Sequence, residues 1–190
     1  QSQFPNTLYS TAGVHPHDAD GVSVDYLDQL RRLVKHPHVK AIGECGLDFN
    51  RNFSAPDQQL KVFKEQIKLA AEVNMPLFLH QRDAFVTGNK VELEQCIAAG
   101  MYVGITGWVC DERRGKELQD IIKLIPLNRL LIETDAPYLT PRTIRPRPKS
   151  SRNEPSYLPY IVQQIAELTT IDAAEIACQT STNAQKVFNL

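Results

Sequence analysis

The sequence predicts a parallel α/β fold, and three observations carry that expectation. Short apolar runs recur at 10–14, 40–43, 76–79, 101–105 and 130–133. Segments with helical spacing lie between them. The runs are apolar from end to end, which suits strands covered on both faces of a sheet. Five such strands with intervening helices fit either an open doubly wound sheet or part of a (β/α)8 barrel.

Each element has its own warrant. The first strand, 10–14, is followed by a helix over 24–34. The second strand, 40–43, leads to a helix over 56–73, with Leu60, Phe63, Ile67 and Ala70 on one face and Ser54 with Asp57 as an amino-terminal cap. After the strand at 76–79 comes a helix over 89–99, closed by Gly100, then the strand at 101–105 and a helix over 113–124. The last strand, 130–133, opens into an irregular stretch, 137–155. That stretch carries Pro141, Pro146 and Pro148 together with Arg142, Arg145, Arg147, Lys149 and Arg152. An apolar-faced helix over 155–168 follows it, so it reads as a loop within the domain and not as a linker. A further helix covers 172–178, where Asp172 makes a cap with Glu175. The expected organisation is one domain over residues 1–190.

Composition narrows the function. Lys and Arg total 21 against 22 Asp and Glu, which excludes a histone-like basic protein and an acidic disordered tail. No apolar run approaches the roughly 20 residues of a membrane span, and nothing at the amino end resembles a signal peptide, so a cytoplasmic protein is expected. The chain opens Gln1-Ser2-Gln3 without Met, so an upstream piece is expected to be absent. Cys45, Cys96, Cys110 and Cys178 form no C-x-x-C pair and are expected to be buried free thiols.

The polar residues that end the strands carry the chemistry. The first strand runs into His15-Pro16-His17-Asp18, the second into Glu44 with Asp48 shortly after, the third into His80 with Arg82 and Asp83, and the last into Glu133-Thr134-Asp135. Carboxyl ends of parallel strands share one face of the sheet, so His15, Glu44, His80 and Asp135 are expected to converge there. Two imidazoles and two carboxylates can hold a divalent cation. Taken singly, each has a plainer alternative: a structural histidine, a solvated glutamate, an Asx-turn at Asp135. The basic loop starts at the same rim and can hold phosphate, while Trp108 and Tyr138 are either stacking platforms or ordinary aromatics. No P-loop, G-x-S-x-G or G-x-G-x-x-G string is present.

The stretches Ala12-Gly13-Val14-His15-Pro16-His17, Ala41-Ile42-Gly43-Glu44-Cys45-Gly46-Leu47-Asp48-Phe49, Leu79-His80 with Arg82-Asp83, Ile132-Glu133-Thr134-Asp135-Ala136-Pro137-Tyr138-Leu139 and Arg152-Asn153-Glu154-Pro155 resemble the TatD family of metal-dependent deoxyribonucleases, in the amidohydrolase-type barrel superfamily. Thr106 to Gly115 resembles its bacterial TatD branch. The resemblance implies a TIM-type (β/α)8 barrel and hydrolysis of DNA phosphodiester bonds, often from the 3′ end. It implies a divalent ion, Mg²⁺ first, with Mn²⁺ or Zn²⁺ as alternatives. Glu44, His80 and Asp135 match metal ligands, and Asp135 also matches the acceptor of the water proton. His15 matches a position touching the scissile phosphate, with Arg82 and Arg152 as further substrate contacts.

Two departures stand out. The family begins with a strand and helix ahead of the position of Ser10, the strand ending in a metal-binding His-x-His. After His80-Gln81-Arg82-Asp83-Ala84 it has a helix and a strand ending in another ligand histidine, whereas here Phe85-Val86-Thr87-Gly88 follows at once. Five strands are visible where eight belong, so segments are expected to be missing. The leading expectation is a metal-dependent DNase, a 3′-5′ exonuclease with DNA and also RNA as substrates. Its rivals are an ester or amide hydrolase and a non-catalytic nucleic-acid-binding module.

Overall fold

Ten consecutive residues, Val39–Asp48, form the central strand β2, and all but two of them are buried. In the computed structural model, which describes residues 7–82 and 90–190, β2 is flanked by β1 (Ser10–Ala12) and β3 (Leu77–Arg82) in a three-stranded parallel sheet of order β1-β2-β3. Parallel strands need both faces covered. Here α1 (Tyr26–Leu33) and α2 (Pro56–Val73) supply that cover, packing Leu30, Leu69 and Ala70 against Ala12, Val39 and Ile42. Each fully buried aliphatic side chain of this kind contributes roughly 1.5–3 kcal/mol.

The helix α2 has the bounds expected from sequence. Pro56 opens it with φ already set, and Asn74, left-handed at φ 51°, closes it. Its buried face differs from the expected one. Gln59, Val62, Gln66, Leu69 and Ala70 point inward, while Ile67 is exposed, because the two glutamines are needed inside as backbone clamps. Nor does Ser54 cap the helix: the preceding residue is Ala55, and the Ser54 hydroxyl donates instead to the His17 carbonyl.

Close approach of the strands depends on glycine at two places. A Cβ on Gly13 would lie 2.6 Å from Gly43 Cα, and one on Gly46 would lie 2.0 Å from the His80 carbonyl oxygen. Gly46 also has φ 140°, a backbone conformation that side chains disfavour. The ladder skips Glu44: Gly43 pairs with Phe78 and Cys45 with Leu79. Glu44 therefore stands at a bulge inside β2, not at the strand's end as the sequence suggested.

Residues 90–188 form a second compact unit. Here β4 (Val103–Ile105) and β5 (Leu130–Ile132) pair in parallel. Around them lie α3 (Lys90–Ala98), α4 (Lys116–Ile121), α5 (Leu158–Thr169) and α6 (Ala173–Phe188). Ile105, Val109, Ile122, Leu130, Ile161, Ile165 and Ile176 form its core. The carboxamide of Asn183, on α6, donates to the carbonyls of Leu127 and Leu130 and ties that helix to β5. The helix α6 outruns its expected stretch, and within it Thr180, Ser181 and Thr182 return their hydroxyls to carbonyls one turn back.

Burial pushes the Cys45 thiol up to about 12 and the Cys110 thiol up to about 11, so both are inert buried thiols as expected. Cys178 is exposed. Among the described residues, no helix is long and apolar enough to cross a membrane.

Candidate metal centre

The parallel strands of the first unit end on one side, and three imidazoles gather there. His15 follows β1, His17 lies in the 3-10 turn Pro16–Gly21, and His80 is in β3. Each offers a ring nitrogen, and these nitrogens lie within 4.8 Å of one another. The rings of His15 and His17 meet edge-on at 4.3 Å, those of His15 and His80 at 4.5 Å.

Two carboxylates from β2 organise the rings. Glu44 Oε1 lies 2.9 Å from His80 Nδ1 and 3.9 Å from His15 Nε2. Asp48 Oδ2 lies 2.6 Å from His17 Nε2. The Asp48 side chain is wholly buried, and its other oxygen accepts the amides of Asn50 and Arg51. Burial alone would raise the Asp48 carboxyl, but the Arg51 amide and His17 outweigh it and hold the group at about 2. The His80 hydrogen bond holds Glu44 below the ordinary carboxylate range against an opposing effect of burial. The same bond raises His80, burial opposing it, while burial and the neighbouring His80 lower His15.

Backbone clamps fix this geometry. Gln66 accepts the Val14 amide at 2.7 Å and donates to the Val14 carbonyl at 3.1 Å, immediately before His15. Gln59 grips Asp48 in the same manner. The two glutamines are seven residues apart on α2, so they share a helix face.

The donor set fits a divalent cation. His80 Nε2 is buried and makes no hydrogen bond; Asp48 Oδ2 stands 3.5 Å away, beyond normal N–H···O length. With Nδ1 turned to Glu44, Nε2 presents a lone pair toward the cluster, the arrangement metal-binding histidines adopt with carboxylate partners.

Of the residues expected at the site, His15, Glu44 and His80 come together. Asp135 follows β5 in the second unit, with φ 55°, and Arg152 is exposed in that unit's basic loop. The side chain of Arg82, and all of Asp83 and the Phe85–Gly88 junction, lie outside the described residues. His17 and Asp48 were not expected to belong to the cluster, although the His-x-His spacing and the acid four residues after Glu44 both stood in the sequence. In the second unit, Asn153 is buried and donates to the carbonyls of Thr134 and Tyr138, on either side of Asp135. Arg142 is engaged by Asp111 and Glu112 at 4.0 and 3.7 Å.

The chain is similar to known proteins. The family model described as TatD related DNase matches residues 1–87 and 85–189, two stretches that join where the sequence predicts a missing helix and strand. The 3′-5′ ssDNA/RNA exonuclease TatD of Erwinia tasmaniensis is 53% identical over 209 residues, covering 99% of this chain and 81% of that protein. Its counterpart in Erwinia amylovora is 52% identical with the same coverage. Among solved structures, the TatD homologue YJJV from Escherichia coli K12 superposes with a TM-score of 0.87 at 26% identity, over 100% of this chain and 80% of that one. The fold is thus of the TIM-type α/β barrel class, with five strands among the described residues. The chain belongs to the TatD-related DNase family.

Proposed function

We propose that this chain is a metal-dependent nuclease that hydrolyses phosphodiester bonds of single-stranded DNA from the 3′ end, and RNA as well. The observation that carries the reading is the set of three ring nitrogens within 4.8 Å, braced by Glu44 and the buried Asp48. The relatives' printed names, exonucleases on single-stranded DNA and RNA, support the substrate class.

His17, His80 and Glu44 would hold the cation, with Asp135 a further ligand by motif resemblance. When bound, a divalent ion supplies Lewis-acid stabilisation of charge developing on the phosphoryl oxygens. An imidazole-rich donor set favours Zn²⁺ in affinity over Mn²⁺, and both over Mg²⁺, so Mg²⁺ is expected to work at higher concentration. Asp48 keeps His17 oriented, and Glu44 does the same for His80. Asp135, assigned by motif resemblance, accepts the proton of the attacking water as its oxygen bonds to phosphorus and the P–O bond to the leaving strand breaks. His15 and the guanidinium groups of Arg82 and Arg152 bind the phosphate backbone. We assign these roles to one hydrolase domain spanning residues 1–190, in a cytoplasmic protein.

The test is degradation of 5′-labelled single-stranded DNA with Mg²⁺, Mn²⁺ or Zn²⁺. Stepwise shortening that EDTA stops, and that Glu44→Gln and Asp135→Asn abolish, is the expected result. Hydrolysis unaffected by chelator, or full activity in either variant, contradicts the reading.

A further inference from the structure

We propose that Phe53 is the stacking platform for the terminal base of the strand; the inference rests on the nuclease reading above. Phe53 is 67% exposed, yet it stands against the metal-type cluster, its ring centroid 4.8 Å from that of His17 at an interplanar angle of 89°. One edge of the contact is thus backed by the site, and most of the ring faces water.

The loop that carries it is built, residue by residue, to hold the ring there. On the amino side, Asp48 accepts the amides of Asn50 and Arg51, and Asn52, at φ 49°, donates its carboxamide to the Phe49 carbonyl. On the carboxyl side, Ser54 is 1% exposed; its hydroxyl donates to the His17 carbonyl at 2.8 Å and accepts the Asp20 amide at 3.1 Å. The Ser54 carbonyl accepts from Gln59 at 2.8 Å, and the Ala55 amide donates to the Asp20 carboxylate at 3.0 Å. Both neighbours of Phe53 are therefore fixed, so the exposed ring is presented by a pinned loop rather than left over by a loose one.

A fixed aromatic face beside a phosphate-hydrolysing centre fits a nucleobase. Stacking is available to every base because each has a π face, which suits an enzyme that must accept successive nucleotides. A terminal base has one face free of stacking neighbours, so the platform engages the end of a strand.

The experiment uses the full chain with single-stranded DNA. Phe53→Ala is expected to raise KM by about 5- to 100-fold, as loss of one base stack implies, while Phe53→Trp stays within about threefold of wild type. The Phe53→Ala penalty disappears when the terminal nucleotide lacks its base. A second readout needs no turnover: in EDTA, a strand ending in 2-aminopurine is quenched on binding the wild type and Phe53→Trp, and not on binding Phe53→Ala. Equal KM and equal quenching for wild type and Phe53→Ala, with active wild type, overturn the stacking role alone. A wild type that neither binds nor shortens the strand overturns the nuclease reading and this inference with it.

Discussion

Gln59 holds Asp48 by both of its backbone groups, accepting the amide at 2.9 Å and donating to the carbonyl at 3.2 Å. Gln66 does the same for Val14. Two buried side chains of one helix thus set the ends of β1 and β2 against each other, and with them the positions of His15, His17 and Glu44. Replacing Gln66 with Leu keeps the volume but leaves a part-buried amide and carbonyl without their partner, at a cost of about 1–2 kcal/mol each. Gln66→Leu should therefore lower stability by roughly 2–4 kcal/mol in urea unfolding, and Gln59→Leu by a similar amount. An unchanged urea midpoint would remove the clamps from the account.

Asp48 should dominate the acid limb of stability. Its carboxyl sits at about 2 in the folded protein against 3.8 ordinarily. A depressed folded value means that the stabilisation is present above about pH 4 and is lost as pH falls toward 2. Nearly two pH units correspond to a contribution on the order of 2 kcal/mol. Metal-free urea unfolding between pH 2 and 6 should show a steep acid limb in the wild type. Asp48→Asn should be less stable at pH 6 and distinctly flatter below pH 4. Parallel curves would show that Asp48 is not the group responsible.

Metal affinity should follow the ligand order. His80→Ala should weaken Mn²⁺ or Zn²⁺ binding the most, and Asp48→Asn, which alters the partner of His17, by about 10- to 100-fold. Isothermal titration calorimetry gives both numbers. Affinity untouched by His80→Ala would place the cation elsewhere.

Much of this molecule was legible in its sequence, and the exceptions have physical causes. The strands and the bounds of α2 followed from apolar runs and helical spacing. The length of β2 did not, because Glu44, Gly46 and Asp48 look like loop residues; only the bulge and the close approach to His80 let them stay in a strand. Gln59 and Gln66 were not singled out, since nothing in one sequence marks a glutamine whose partners are distant backbone groups. His17 and Asp48 stood in the motifs, but their pairing spans 31 residues and becomes visible only when β1 and β2 are adjacent. Ser54 was read as a local cap, whereas its partners, Asp20 and His17, lie more than 30 residues away.

Asn153 should matter to turnover through Asp135. It donates to Thr134 and Tyr138 and accepts the Glu154 amide, so Asn153→Ala frees the loop that carries the proton acceptor. The expected outcome is a loss of about 2 kcal/mol in stability and at least a tenfold fall in kcat with KM nearly unchanged. An unchanged kcat would separate Asn153 from the chemistry.

The most direct test is anomalous diffraction from crystals grown with Mn²⁺. The account predicts a strong anomalous peak bounded by ring nitrogens of His17 and His80 and by the Glu44 carboxylate, lost in crystals of His80→Ala. A peak at a different place, or none in crystals of protein that degrades DNA with Mn²⁺, would contradict it.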